Sequence, residues 1–243
     1  MNKTFIKRFL FGLFIVICAI IVGFLVISYE AEGDKNMPYK LSKILMISTV
    51  DGRKNGDGEN IWNISLSQVN DFYVYVEKAD ENTKEVISEI RFNNFEVTRP
   101  SNIGETKIYR PNGEKNALYL NATENMLYQI ISFKGDMQDN LKDTVANIGG
   151  VTSFRYAIEN LGNYVSNEAG EVVYNGLLLN KVGIALDQIK STISFDMIIK
   201  TSGNVMYKGT IKMDTPSGDI VQEGQSNIEI TDFKDVVFKR VSE

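Results

Sequence analysis

The stretch "DGRKNGDGEN", residues 51–60, places four oxygen-bearing side chains close together: Asp51, Asn55, Asp57 and Glu59. Carboxylates and amides at this density are the donor set of a calcium loop, because a hard cation takes oxygen ligands. An EF-hand needs oxygen ligands at positions 1, 3 and 5 and a bidentate glutamate at position 12. Counted from Asp51, position 3 is Arg53 and position 12 is Trp62, so that pattern fails. An irregular calcium site remains open to Asp51, Asn55, Asp57 and Glu59. Arg53 and Lys54 weaken it, and the Asn55-Gly56 and Asp57-Gly58 pairs read equally well as a polar hairpin loop without metal. Beyond calcium, no cofactor is expected.

A second group could hold a ligand by its ring faces. Trp62, Tyr73 and Tyr75 are candidate contacts for a sugar or a peptide. Tyr73 and Tyr75 alternate with Phe72, Val74 and Val76, so the two sets lie on opposite faces of a strand and one set is the less buried. Tyrosines that pair across strands for stability give the same pattern.

Composition closes most catalytic routes. The chain has 243 residues, no histidine, one cysteine and a formal charge of −5. Without histidine there is neither a Ser-His-Asp triad nor an imidazole metal ligand. The cysteine, Cys18, lies in an apolar run, which leaves no thiol nucleophile, disulfide or thiolate zinc site elsewhere. No Ser-x-x-Lys pair and no Gly-rich phosphate loop occurs, and no catalytic residue is assigned. An acidic chain without a basic cluster is a poor nucleic-acid binder, so none is expected as a partner.

These side chains must be carried by something. "FLFGLFIVICAIIVGFLVIS", residues 9–28, contains no charge, and its length as a helix, about 30 Å, equals that of a hydrocarbon core. Lys3, Lys7 and Arg8 precede it, and Glu30, Glu32 and Asp34 follow. The positive-inside rule predicts a retained, single-pass anchor with the N-terminus cytoplasmic and the rest extracellular. The expected division is a stub, anchor and exit linker over 1–34 and an extracytoplasmic region over 35–243. The polar stretch near 135–150 is where that region would divide if it has two lobes.

After Pro38 the pattern is mainly β. "SKILMIST", "IWNISLS", "FYVYVEK", "EVISEIRFNNFEVT", "TKIYR", "MLYQIISFKG", "TISFDMIIKT", "VMYKGTIKMDT" and "SNIEITDFKDVVFKR" read as strands. "QVND" reads as a turn joining the second and third. "VTSFRYAIENLGNYVS" reads as a strand followed by a loop at "ENLGN", and "IALDQIKS" as a helical turn or two. Short strands with turn signals predict an antiparallel β-sandwich of jelly-roll or immunoglobulin-like type behind the N-terminal transmembrane helix.

Two resemblances accompany this pattern. "IRFNNFEVT" and "IEITDFKDVVFKR" resemble closing strands of jelly-roll carbohydrate modules. "PYKLSKILMISTVDG", "ENIWNISLSQVNDFYVYVEK", "SNIGETKIYRPNG" and "SNIEITDFKDVVFKR" resemble uncharacterised single-pass proteins of low-GC Gram-positive bacteria. The second resemblance implies a location and carries over no functional residue.

The reading that follows is a membrane-anchored binding or scaffolding protein whose partner is a protein or a cell-wall glycan, without catalytic activity. Two alternatives differ in class. An anchored hydrolase would need a cleft lined by facing carboxyls with raised pKa values. A pilin-like filament subunit would need the apolar helix to continue outward, but Gly33 and Pro38 interrupt it.

Overall fold

The computed structural model describes residues 3–32, 37–55, 62–111, 130–137, 144–166 and 176–241, with helix side chains described from residue 11 to 25 in the first helix. In chain order the elements are α1 (Lys3–Glu32), β1 (Tyr39–Lys54), β2 (Trp62–Lys78), β3 (Ile87–Thr98), β4 (Glu105–Tyr109), β5 (Ile131–Asp136) and β6 (Thr144–Ala146). They continue as β7 (Gly150–Ser166), α2 (Gly176–Lys181), α3 (Leu186–Ile189), β8 (Ser191–Thr201), β9 (Met206–Thr215), α4 (Ile220–Glu223), β10 (Gln225–Ile230) and β11 (Lys239–Val241).

Among the described residues no helix is long and apolar enough to cross a membrane. This finding corrects the expected transmembrane helix, the signal-anchor, the membrane contact through residues 9–28, and the single-pass location built on them.

The rest of the fold is mainly β. A five-stranded sheet runs β10-β1-β2-β7-β4 and a six-stranded sheet runs β11-β9-β8-β3-β5-β6. Period-2 alternation builds the core between them. On β2, Ile64, Leu66, Phe72 and Val74 are fully buried while Ser65, Ser67, Tyr73 and Tyr75 on the other face are half-buried. On β8, Ile193, Phe195, Met197 and Ile199 are fully buried against them. Phe154 of β7 sits at the centre, its ring centroid 4.8 Å from Phe72, 5.0 Å from Phe195, 5.3 Å from Phe95 and 5.4 Å from Phe92. One apolar cluster takes residues from both sheets. β5 and β6 pair in parallel, which departs from the expected all-antiparallel arrangement.

The β8–β9 hairpin turns through Ser202–Asn204, and Tyr207, Ile211 and Met213 of β9 are buried. The expected turn at "QVND" is instead the middle of one continuous strand, β2. Gln68 and Asn70 are fully buried there: Gln68 Nε2 donates to Asn70 Oδ1 at 2.7 Å, and Ser48 donates to the same oxygen at 2.7 Å. Polar side chains that satisfy one another inside a core carry the composition of a turn. β3 bulges against β8 at Asn93-Asn94, with Asn94 at φ 52°.

α2 and α4 pack against each other and against β1 and close one end of the sandwich. Their approach requires Gly176, since a Cβ there would lie 1.6 Å from the Ile220 carbonyl oxygen.

Candidate functional site

The outward face of the five-stranded sheet carries polar side chains around a concavity. Cross-strand register stacks its rows: Asp51 lies opposite Ser67, Arg53 opposite Ser65, Val69 opposite Ala157, and Asp71 opposite Arg155, which lies opposite Tyr109. Gly52, Ser65, Ser67, Val69 and Ala157 are small, so they leave a floor that the long side chains of Arg53, Tyr109, Arg155 and Glu159 wall in. The cleft has a volume of about 470 Å³. A neighbouring hollow of about 620 Å³ shares Arg53, Lys54, Ser65 and Asn160 and extends it toward Asn55 and Asn163.

An irregularity of β7 shapes the wall. Leu66 pairs with Gly162 and Gln68 with Ile158, so Ser67 alone faces Glu159, Asn160 and Leu161. The additional residues bulge outward, turning Leu161 into the core and Asn160 over the cleft. Asn160 adopts φ 57°, a left-handed conformation that asparagine tolerates better than most residues. Ser65 Oγ donates to Asn160 Oδ1 at 3.3 Å. Gly104, at φ 69°, supports the bulge from behind: a Cβ there would lie 2.4 Å from the Glu159 carbonyl oxygen.

Most charges of the cleft are already paired within it. Arg155 donates from Nε and Nη2 to the two oxygens of Asp71 at 2.6 and 2.8 Å. Lys107 meets Glu159 at 2.8 Å, and the Tyr109 hydroxyl donates to the same carboxylate. Burial pushes the Glu159 carboxyl up, but the hydrogen bonds from Lys107 and Tyr109 and the charge of Lys107 outweigh it and hold it below the ordinary range. Burial, and then the hydrogen bond to Glu159, pushes the Tyr109 hydroxyl well above its ordinary value. Arg53 makes no hydrogen bond or ion pair among the described residues, yet its charge reaches Glu159 and Tyr109.

The expected site residues separate in space. Asp51 lines the cleft, with Oδ1 accepting from its neighbour Gly52 N at 2.8 Å. Asn55 lines the adjoining hollow, and its amide donates to Asn163 Oδ1 at 3.5 Å. Asp57 and Glu59 lie outside the described residues. Residues 51–54 belong to β1, so the hairpin loop is shorter than the polar stretch. Among the described residues no group of three or more Asp, Glu, Cys or His could hold a metal ion.

Trp62 shares the inward parity of Ile64 and packs on the edge of the core, with the Lys54 ammonium 4.9 Å from its ring. Tyr73 and Tyr75 lie on the outer face, Tyr75 with the Lys43 ammonium at 4.5 Å. Trp62 therefore points away from the two tyrosines. Tyr73 is four residues along β2 from Val69, about 13 Å from the cleft floor.

The cleft residues that sequence reasoning passed over are Tyr109, Arg155, Glu159 and Asn160. One signal was present: "ENLGN", expected as a loop, lies inside the continuous strand β7, where it forms the bulge. No family model, no curated protein and no solved structure matches the chain.

Proposed function

We propose that this protein is a non-catalytic binding module and that a glycan lies in the cleft across β1, β2 and β7. The carrying observation is the lining: hydroxyl, amide, guanidinium and carboxylate groups converge on a floor of small side chains, all mounted on the strands of one sheet. Polyhydroxylated ligands need convergent donors and acceptors held rigidly, because each polar group desolvated without a partner costs affinity. Strands hold such groups more tightly than loops do.

The hydrolase alternative has less support. A general acid needs a carboxyl whose pKa is raised. The four described carboxyls that depart from ordinary values, Glu85, Glu89, Glu159 and Asp196, all depart downward. Glu159 is also held by two donors.

A protein partner is the second reading. It draws on the same sheet face beyond the cleft, where Leu45, Ile47, Tyr73 and Tyr75 are half-buried rather than covered.

Calorimetric titration of the full chain with a panel of neutral and acidic oligosaccharides tests the first reading. Binding by at least one class is expected, together with its loss in Ser67→Phe, which fills the floor. If no oligosaccharide binds, or if Ser67→Phe binds as well as the parent, the glycan reading fails.

A further inference from the structure

We infer that the glycan is acidic, and that a sugar carboxylate docks on Arg53 at the mouth of the cleft. This rests on the glycan reading above and narrows it to uronate-bearing chains.

Most charged groups in and around the cleft are already paired with one another. Asp71 takes two donors from Arg155. Glu159 takes Lys107 and the Tyr109 hydroxyl. These pairs neutralise two acids and two bases and leave neither sign in excess. Three charged groups remain. Asp51 is partly satisfied by the Gly52 amide at 2.8 Å. Lys54 pairs with the buried Ile64, and its ammonium is held over the Trp62 ring at 4.9 Å, on the side of the sheet away from the cleft. Arg53 is exposed and, among the described residues, has no hydrogen bond or ion pair. Arg53 therefore stands on the cleft face as a guanidinium without an ion pair among the described residues, in a chain whose net charge is −5.

The neutral groups lean the same way. Asn160 uses its Oδ1 as acceptor for Ser65 at 3.3 Å, which leaves its amide N–H groups as donors beside the cleft. Ser67 adds a hydroxyl on the floor opposite Asp51. The set is rich in donors and short of acceptors, so the complementary ligand is rich in acceptors. A planar guanidinium presents a fork that matches a carboxylate with two parallel hydrogen bonds, which an ammonium cannot do. Arg53 stands on a strand opposite Ser65, so that fork is anchored near the Ser67 hydroxyl, which can donate to an oxygen of the same sugar.

The test uses the full chain and a panel of oligouronates (galacturonate, glucuronate, mannuronate and guluronate), their methyl esters, and neutral oligosaccharides. Esterification removes the charge and keeps the sugar. An oligouronate is expected to bind, with its methyl ester weaker by about tenfold or more. Raising salt should weaken the acid and leave the ester unchanged. Arg53→Ala should abolish the difference between acid and ester at an unchanged melting temperature, and Arg53→Lys should restore only part of it. Equal binding of acid and ester, or binding of neutral oligosaccharides alone, overturns the inference and leaves the glycan reading standing. No binding by any sugar overturns both.

Discussion

Phe154→Ala removes the ring at which the two sheets meet. Phe154 is fully buried, and its ring lies within 5.4 Å, centroid to centroid, of Phe72, Phe92, Phe95 and Phe195. Phe72 belongs to its own sheet, whereas Phe92, Phe95 and Phe195 belong to the other. Deleting a buried phenylalanine costs about 3–5 kcal/mol. Each aromatic pair adds about 0.5–1.5 kcal/mol beyond its buried area, although neighbouring pairs do not sum. Sheets held by ladders of hydrogen bonds cannot collapse into the gap, so the cost should approach the upper limit, about 5 kcal/mol. For a urea dependence of roughly 2–3 kcal/mol per molar, the unfolding midpoint should fall by about 2 M. Phe154→Leu, which keeps much of the volume, should cost about 1–2 kcal/mol. Equilibrium urea unfolding of both variants decides the matter. A cost below about 2 kcal/mol for the alanine variant would refute the view that this cluster joins the sheets.

Other expectations concern the cleft and the core. Glu159, Glu89 and Asp196 have carboxyls held below their ordinary values, so the stability they lend is present above the unfolded pKa and is lost as pH falls through the folded one. Glu159→Gln should therefore lower stability at neutral pH, leave the acid end little changed and so flatten the acid limb of a stability–pH profile; an unchanged acid limb would count against the pairing with Lys107 and Tyr109. Gly104→Ala, with its Cβ driven toward the Glu159 carbonyl, should destabilise by about 2 kcal/mol or more and weaken sugar binding, read by melting and titration together. Gln68 Oε1 is buried without a partner among the described residues, so Gln68→Met should melt at the same or a higher temperature, and a large drop would mean that the oxygen is satisfied. Calcium at millimolar concentration should leave the melting midpoint where a chelator leaves it; a rise would restore a metal site at Asp51, Asn55, Asp57 and Glu59, because a ligand of the native state must raise it.

The site was less legible than the fold. Asp51 and the aromatic residues stand out in sequence because their neighbours are polar or alternate with valine. Arg155, Glu159 and Tyr109 do not, since each looks like an ordinary charge or ring on a half-exposed strand. What makes them a wall is their placement beside Asp51 and Ser67, which lie far away along the chain. The turn read at "QVND" failed for a related reason. Gln68 and Asn70 look solvated until Ser48 is brought against them from β1. The apolar N-terminal run had the composition of a membrane helix, but among the described residues no helix of sufficient length and apolarity is present.

By itself the sequence determined the classes of chemistry that are closed, through its missing histidines and single cysteine, and the face on which most strand residues lie. Both follow from composition or from a period of two, which neighbouring residues set among themselves. Tertiary structure alone decided the order of the strands, the placement of Asn160 over the cleft, and the cancellation of Asp71 by Arg155 and of Glu159 by Lys107. Those depend on register between segments far apart in the chain, and that register decides which charges of the cleft remain for a ligand.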